Sequence, residues 1–162
     1  MIMQQQKAKE AVAQIRGSDL LPELSGDVYF KDVPGGVMVY VSVEGLPPYQ
    51  PATADRQPVG PHGFHIHAMG DCEPMGGNDP FSEAGGHYNP TNQPHGNHVG
   101  DFPVLFSNNG KALMSFFTDK FQVGDIVGKA VVIHLNPDDY RTQPAGDSGP
   151  RIGCGVIYAL PQ

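Results

Sequence analysis

Charge is scarce in this chain, and positive charge scarcer: 17% of its 162 residues are charged, ten Lys or Arg against 17 Asp or Glu, for a formal charge of −7. Such a balance repels phosphate backbones and anionic lipid surfaces, so neither nucleic acid nor a membrane is expected as a partner. Long apolar runs are missing as well. No stretch approaches the roughly 18 residues of a transmembrane helix. Met1 to Ile15, with Gln4, Gln5, Gln6, Lys7, Lys9 and Glu10, holds no apolar run that could form the core of an export signal. As written, the chain is expected to be soluble and cytoplasmic, although a periplasmic or extracellular chain whose signal has been removed would read the same. Cysteine occurs only at Cys72 and Cys154. An isolated pair can be a disulfide made in an oxidising compartment, which keeps that second location open.

What the sequence has in excess is glycine, proline and histidine. The 21 Gly and 16 Pro together are 37 residues, about 23% of the chain against the roughly 12% of average usage, which argues against a helix bundle or coiled coil. Apolar residues make up 39%, arranged in short β-rich runs, enough for one core. Runs with strand character fall near 9–15, 27–32, 37–44, 63–68, 99–106, 111–118, 129–135 and 155–160. Eight strands in one domain predict a sandwich or barrel. The clearest is the alternation of Val37, Val39, Val41 and Val43 with Met38, Tyr40 and Ser42, one branched face against one mixed face. No segment reads as an amphipathic helix of ten or more residues. Residues 1–7 are expected to be a flexible N-terminus and 8–162 a single domain.

Three long polar connections separate the strands, at 45–61, 69–98 and 136–153. Connections longer than about 12–15 residues in a compact domain are usually functional or disordered. The first, rich in proline, carries no chemical cluster; the other two do. His65 and His67 lie two apart in a strand-like run, so they project from one face and can reach one metal ion, although such a pair is more often a satisfied polar pair. His87 is followed by His95, His98 and Asp101 in a loop of Gly, Asn and Pro, and three imidazoles with a carboxylate make a four-ligand set of the kind zinc takes. His134 sits in the apolar run Lys129 to Leu135, where a lone histidine is usually a satisfied core residue. Two four-coordinate sites need eight ligand bonds, and these candidates number seven; one deprotonated imidazole binding through both nitrogens closes the count.

These segments resemble the Cu/Zn superoxide dismutase family, bacterial members in particular. The resemblance is carried by Gly63-Phe-His-Ile-His67, Gly85-Gly-His-Tyr-Asn-Pro90, His95, His98-Val-Gly-Asp101, Val132-Ile-His134 and Pro150-Arg-Ile-Gly-Cys-Gly-Val156, in family order and spacing. It implies an all-β fold, an eight-stranded Greek-key barrel or sandwich with two long functional loops, and one copper and one zinc per subunit. By this match His65, His67, His87 and His134 fall on the copper ligands, and His87, His95, His98 and Asp101 on the zinc ligands, with His87 as the bridge. Asp138 falls on the carboxylate linking a copper-ligand histidine to a zinc-ligand histidine. Arg151 falls on the arginine that holds the superoxide anion, and His62 on a structural histidine. Cys72 and Cys154 match the family disulfide, whose loop of about 80 residues would contribute roughly 4–5 kcal/mol in the chain-entropy model.

The implied reaction converts superoxide to oxygen and hydrogen peroxide by alternate reduction and reoxidation of copper, with His87 carrying a proton in the second half. A homodimer is usual in the family. A zinc-stabilised copper-delivery module on the same barrel would lack copper ligands or the arginine, and none is lost here. A mononuclear β-barrel metalloenzyme would leave Asp138, the Cys pair and Arg151 unexplained together. Two departures stand out. The lysine and threonine found shortly before the arginine in eukaryotic members are missing, Ala145 standing six positions upstream of Arg151, and loop 45–61 is about ten residues longer than in most members.

Overall fold

The computed structural model describes residues 6–73 and 79–162, so the expectation of a flexible N-terminus falls largely outside the described residues. Among these residues seven strands form one antiparallel sheet: β1 (Glu10–Gly17), β2 (Ser25–Val33), β3 (Gly36–Glu44), β4 (Phe64–His67), β5 (Ala112–Thr118), β6 (Ala130–His134) and β7 (Arg151–Ala159). Their order across the sheet is β4-β6-β7-β1-β2-β3-β5, so neighbours in space are not always neighbours in sequence. Among the described residues helix is confined to the one-turn α1 (Val123–Ile126) and a 3-10 turn at Ser82–Ala84.

The alternating valines decide which face of the sheet turns inward. Val37, Val39, Val41 and Val43 are at most 3% exposed and join Ala13, Ile15, Val28, Phe30, Phe64 and Ile66 in one hydrophobic core. Burying each large apolar side chain is worth about 1.5–3 kcal/mol before entropy is counted. β2 and β3 are joined by Pro34-Gly35, where proline presets its own φ and Gly35 takes φ +87°, a turn that a β-branched residue would strain. β6 reads as a continuous apolar run because both of its faces are covered. Val131 and Ile133 enter the main core, while Ala130 and Val132 pack with Phe81, Ala84, Cys154 and Cys72 in a second cluster. The Cys72–Cys154 disulfide closes that cluster and ties the loop after β4 to β7.

Two strand expectations are corrected. The run 99–106 is not a continuous strand: it meets the β4 segment through isolated bridges at His65–Asp101 and His62–Leu105. Pro103, between them, has no N–H to extend a ladder. The last strand starts at Arg151 rather than 155, so Arg151 lies on a strand and not in the preceding loop. Gly153 and Gly155 hid its start, since glycine weakens a strand pattern. Close packing demands them: a Cβ at Gly153 would stand 2.9 Å from Leu24 Cδ2, and one at Gly155 2.5 Å from the Gln14 carbonyl oxygen. Loop 45–61 is itself paired, with bridges Gln50–Val59 and Thr53–Arg56. Its base docks on the 136–153 loop through Asn136 Nδ2 to the Pro58 carbonyl (2.9 Å) and Gln57 Nε2 to Asp147 Oδ2 (2.9 Å).

Candidate metal centre

On β4, Phe64 and Ile66 point into the core, so the period of two sends His65 and His67 to the opposite face. There the loops after β4 and β6 cover them, leaving His65 0% and His67 1% exposed. Antiparallel pairing of β4 with β6 brings His134 alongside, and the isolated bridge His67–His87 draws in the next loop. His65, His67, His87 and His134 each offer a nitrogen, all within 4.8 Å of one another. A second group, His87, His95, His98 and Asp101, meets the same limit. His87 belongs to both.

Hydrogen bonds on the far side of each ring fix which nitrogen carries the proton. His67 Nδ1 donates to the Gly85 carbonyl (2.8 Å), His134 Nδ1 to the Gly149 carbonyl (3.1 Å), and His65 Nε2 to Asp138 Oδ2 (2.6 Å). His95 Nε2 donates to the other Asp138 oxygen (2.8 Å). The remaining nitrogen of each ring then carries a lone pair, and these converge: His134 Nε2 lies 3.3 Å from His67 Nε2, and His95 Nδ1 lies 3.3 Å from Asp101 Oδ2. Buried His65 Nδ1, His87 Nε2 and His95 Nδ1 have no hydrogen-bond partner among the described residues. Unprotonated donors facing one another in a buried site repel unless a cation lies between them. A tetrahedral ion with bonds of about 2.0–2.1 Å sets its ligand atoms about 3.3 Å apart. The spacings in the second group, 3.1 to 3.3 Å from Asp101 Oδ1 to His87 and His98 Nδ1, match that edge.

A third set, His65, His95 and Asp138, is also close enough to be considered for a metal. Its contacts of 2.6 and 2.8 Å are hydrogen-bond lengths, too short for the edges of a coordination tetrahedron. Asp138 therefore acts as a carboxylate strap between one histidine of each group. Its Oδ1 also accepts the Tyr140 backbone N–H at 2.7 Å, and the Tyr140 hydroxyl donates to the Phe102 carbonyl at 3.0 Å.

The electrostatics follow from burial. His65 and His67 are held well below the usual imidazole range by burial and then by neighbouring imidazoles, so they stay neutral and available as ligands. Burial brings His134 down to about 4. Burial alone would raise Asp101, but the His87 ring against its Oδ1 (3.1 Å) and the His98 N–H donating to its Oδ2 (2.9 Å) outweigh it and hold the carboxyl below its usual range, so it stays ionised.

Arg151 comes to the same place through a bulge. Ile133 pairs with Gly153 but His134 pairs with Arg151, so Ile152 is the extra residue. The guanidinium donates to the Phe81 carbonyl (2.7 Å, Nη1) and the Gly85 carbonyl (2.6 Å, Nη2), the latter oxygen also holding His67. Phe81 and Gly85 lie in the loop anchored by Cys72. His62, 1% exposed, faces elsewhere: its Nδ1 donates to the His134 and Leu135 carbonyls at 2.9 and 3.0 Å and pins the end of β6.

The backbone contributors were invisible in the sequence. A carbonyl has no residue signature, so neither Phe81 nor Gly85 could be picked out as an anchor for Arg151. Gly146 is a second omission: it takes φ +71°, and a Cβ there would stand 1.9 Å from Asp138 Oδ1 and 2.6 Å from His95 Nε2. A glycine-rich loop was the only sign of it.

Fold and site define an antiparallel β-barrel metalloprotein with two adjacent metal-binding groups that share one imidazole. The sequence pattern of copper/zinc superoxide dismutase (SODC) matches residues 24–157. The Cu-Zn superoxide dismutase of Legionella pneumophila is 37% identical over 158 residues, covering 93% of this chain and 88% of the relative. That of Deinococcus radiodurans is 34% identical over 163 residues, covering 88% and 84%. The solved structure of Cu/Zn superoxide dismutase from Brucella abortus superposes with a TM-score of 0.73 at 28% identity, covering 91% of this chain and 98% of that one. The chain belongs to the copper/zinc superoxide dismutase family. It is an oxidoreductase that disproportionates superoxide, with copper and zinc as its cofactors. Among the described residues no helix is long and apolar enough to cross a membrane.

Proposed function

We propose that His65, His67, His87 and His134 hold the copper and that His87, His95, His98 and Asp101 hold the zinc, with His87 shared. The observation that carries this division is His87, which lies within 4.8 Å of both groups: its Nδ1 stands 3.1 and 3.2 Å from Asp101 Oδ1 and His98 Nδ1, which leaves the buried, unpartnered Nε2 for the first group. When bound, copper supplies the one-electron chemistry that takes an electron from one superoxide and returns it to another, and zinc supplies a fixed positive charge at the shared imidazole. His87 Nε2 has no competing hydrogen bond, so it can hold a proton for the reductive half. Asp138 keeps the Nδ1 atoms of His65 and His95 aimed at their separate groups by holding both Nε2 protons. Arg151, anchored through Nη1 and Nη2, sits opposite His134 with its charge available to place the anion.

His134→Ala tests the copper assignment directly. It should lose one equivalent of tightly bound copper and superoxide consumption together while keeping zinc. Full activity in that variant would sink the assignment.

The same reading extends to compartment and assembly. The Cys72–Cys154 disulfide supports an oxidising, extracytoplasmic location over the cytoplasmic one. Residues 8–162 act as one domain, a reading supported by the pairing of β1 with β7. A homodimer is supported by the exposed Tyr40, Leu113 and Phe117 on the outer face of β3 and β5, and sedimentation equilibrium tests it.

A further inference from the structure

The zinc-side residues are not held alike. His98 and Asp101 form a tight turn, with Asp101 N–H donating to the His98 carbonyl (3.2 Å) and His98 N–H to Asp101 Oδ2 (2.9 Å). His87 is set by its bridge to His67 on β4. His95 belongs to no ladder; it sits inside the turn closed by the Asn97 N–H on the Pro94 carbonyl (3.1 Å), a bond that leaves its own N–H and carbonyl unused.

Its backbone is gripped from another loop. The Gln143 Oε1 accepts the His95 N–H at 2.8 Å, and Gln143 Nε2 donates back to the His95 carbonyl at 3.3 Å. Nε2 also donates to the Arg141 carbonyl at 3.0 Å, which fixes the amide in the orientation this two-way contact needs. The amide thus does for His95 what a neighbouring strand does for a ladder residue. Asp138, five residues earlier, holds the same histidine by its ring. Backbone and ring together leave His95 Nδ1 little freedom but to face Asp101.

We infer that Gln143 is a positioning residue for His95, presetting the zinc group so that the ion does not have to order the 93–97 loop on binding. The inference rests on the reading of His87, His95, His98 and Asp101 as the zinc group. A ligand held ready in its bound geometry avoids an ordering cost, and loss of partners that orient ligands typically weakens metal binding by about 10- to 100-fold.

The test is zinc affinity of the full chain, by competition with a chromophoric chelator, together with the visible absorption of cobalt bound in zinc's place. Gln143→Met keeps the length and removes the amide; it should bind zinc about tenfold more weakly and shift the cobalt spectrum, with copper affinity unchanged. Gln143→Glu keeps the acceptor for the His95 N–H and loses the donor, so it should fall between the two, and it carries the same test should Gln143→Met not fold. A cobalt spectrum and zinc affinity equal to wild type in these variants, while His95→Ala loses zinc, would overturn the role of Gln143 alone. Undiminished zinc binding in His95→Ala would overturn the ligand reading, and this inference with it.

Discussion

Gly146→Ala offers a sharp test of how the loop after β6 builds the centre. Two separable effects act there. The backbone at Gly146 has φ +71°, and placing an L-residue in that region costs about 1–2 kcal/mol. The new methyl would also stand 1.9 Å from Asp138 Oδ1 and 2.6 Å from His95 Nε2, so the carboxylate must move by about an ångström or more. That movement breaks at least one of the two hydrogen bonds Asp138 Oδ1 accepts, from His95 Nε2 at 2.8 Å and from the Tyr140 N–H at 2.7 Å. A hydrogen bond to a charged group is worth about 1.5–3 kcal/mol, so the sum for the metal-free protein is about 2.5–5 kcal/mol. Gly128→Ala is the control. Gly128 has φ +85° and nothing within 4 Å of where a methyl would stand, so it carries the backbone cost alone, about 1–2 kcal/mol. Urea unfolding of both variants, and chelator competition for zinc, read the two effects. Equal losses of stability in the two variants, with zinc affinity unchanged in Gly146→Ala, would refute the claim that the Asp138–His95 contact is what this glycine protects.

Other consequences follow from the same geometry. Replacing both Cys72 and Cys154 by serine opens a loop with a sequence separation of 82 residues, and the metal-free protein should lose roughly 4–5 kcal/mol in denaturant unfolding; a loss under about 1 kcal/mol would contradict the chain-entropy account. Arg151→Lys replaces the planar fork whose two nitrogens reach the Phe81 and Gly85 carbonyls with a single ammonium nitrogen, so superoxide consumption should fall about tenfold or more at unchanged metal content, whereas loss of copper would point instead to a structural role. The metal-free protein should weaken in mild acid. His134 titrates at about 4 in the fold against an ordinary value of 6.5, so between these values the unfolded chain binds the proton that the native state refuses. Stability is therefore whole above about pH 6.5 and lost as the pH falls toward about 4, with His65 and His67 acting in the same direction; a flat profile across that window would contradict it. Finally, the loop after β6 and the start of β7 set only Arg141 and Arg151 against Asp138, Asp139 and Asp147 in a chain of charge −7. The rate should therefore be slower and less salt-sensitive than in family members with a basic channel, and a steep fall with added salt would show that other residues steer the anion.

Much of this protein is legible in its residues alone. Ligand chemistry belongs to side chains, so His87, His95, His98 and Asp101 stood out as a candidate set by type and spacing, while His65, His67 and His134 could equally have been ordinary polar or core residues until the family resemblance assigned them; the valines of β3 announced a buried face by their period of two. The run 99–106 misled because its composition favours a strand while Pro103 denies it a continuous ladder, and β7 was shortened because Gly153 and Gly155 are there for close packing rather than for strand propensity.

Residue types and their periodicity were enough to say which atoms could bind metals and which faces could be buried, because both are properties of single residues and local pattern. The pairing of those atoms came from the folded chain. The sheet order brings His134 to His67 across 67 positions, and the loop after β6 straps His65 to His95 through Asp138. Folding also selects which backbone groups matter. The carbonyls of Phe81 and Gly85, and the missing side chain of Gly146, act through where the chain passes, and position is set by long-range packing that no local pattern encodes.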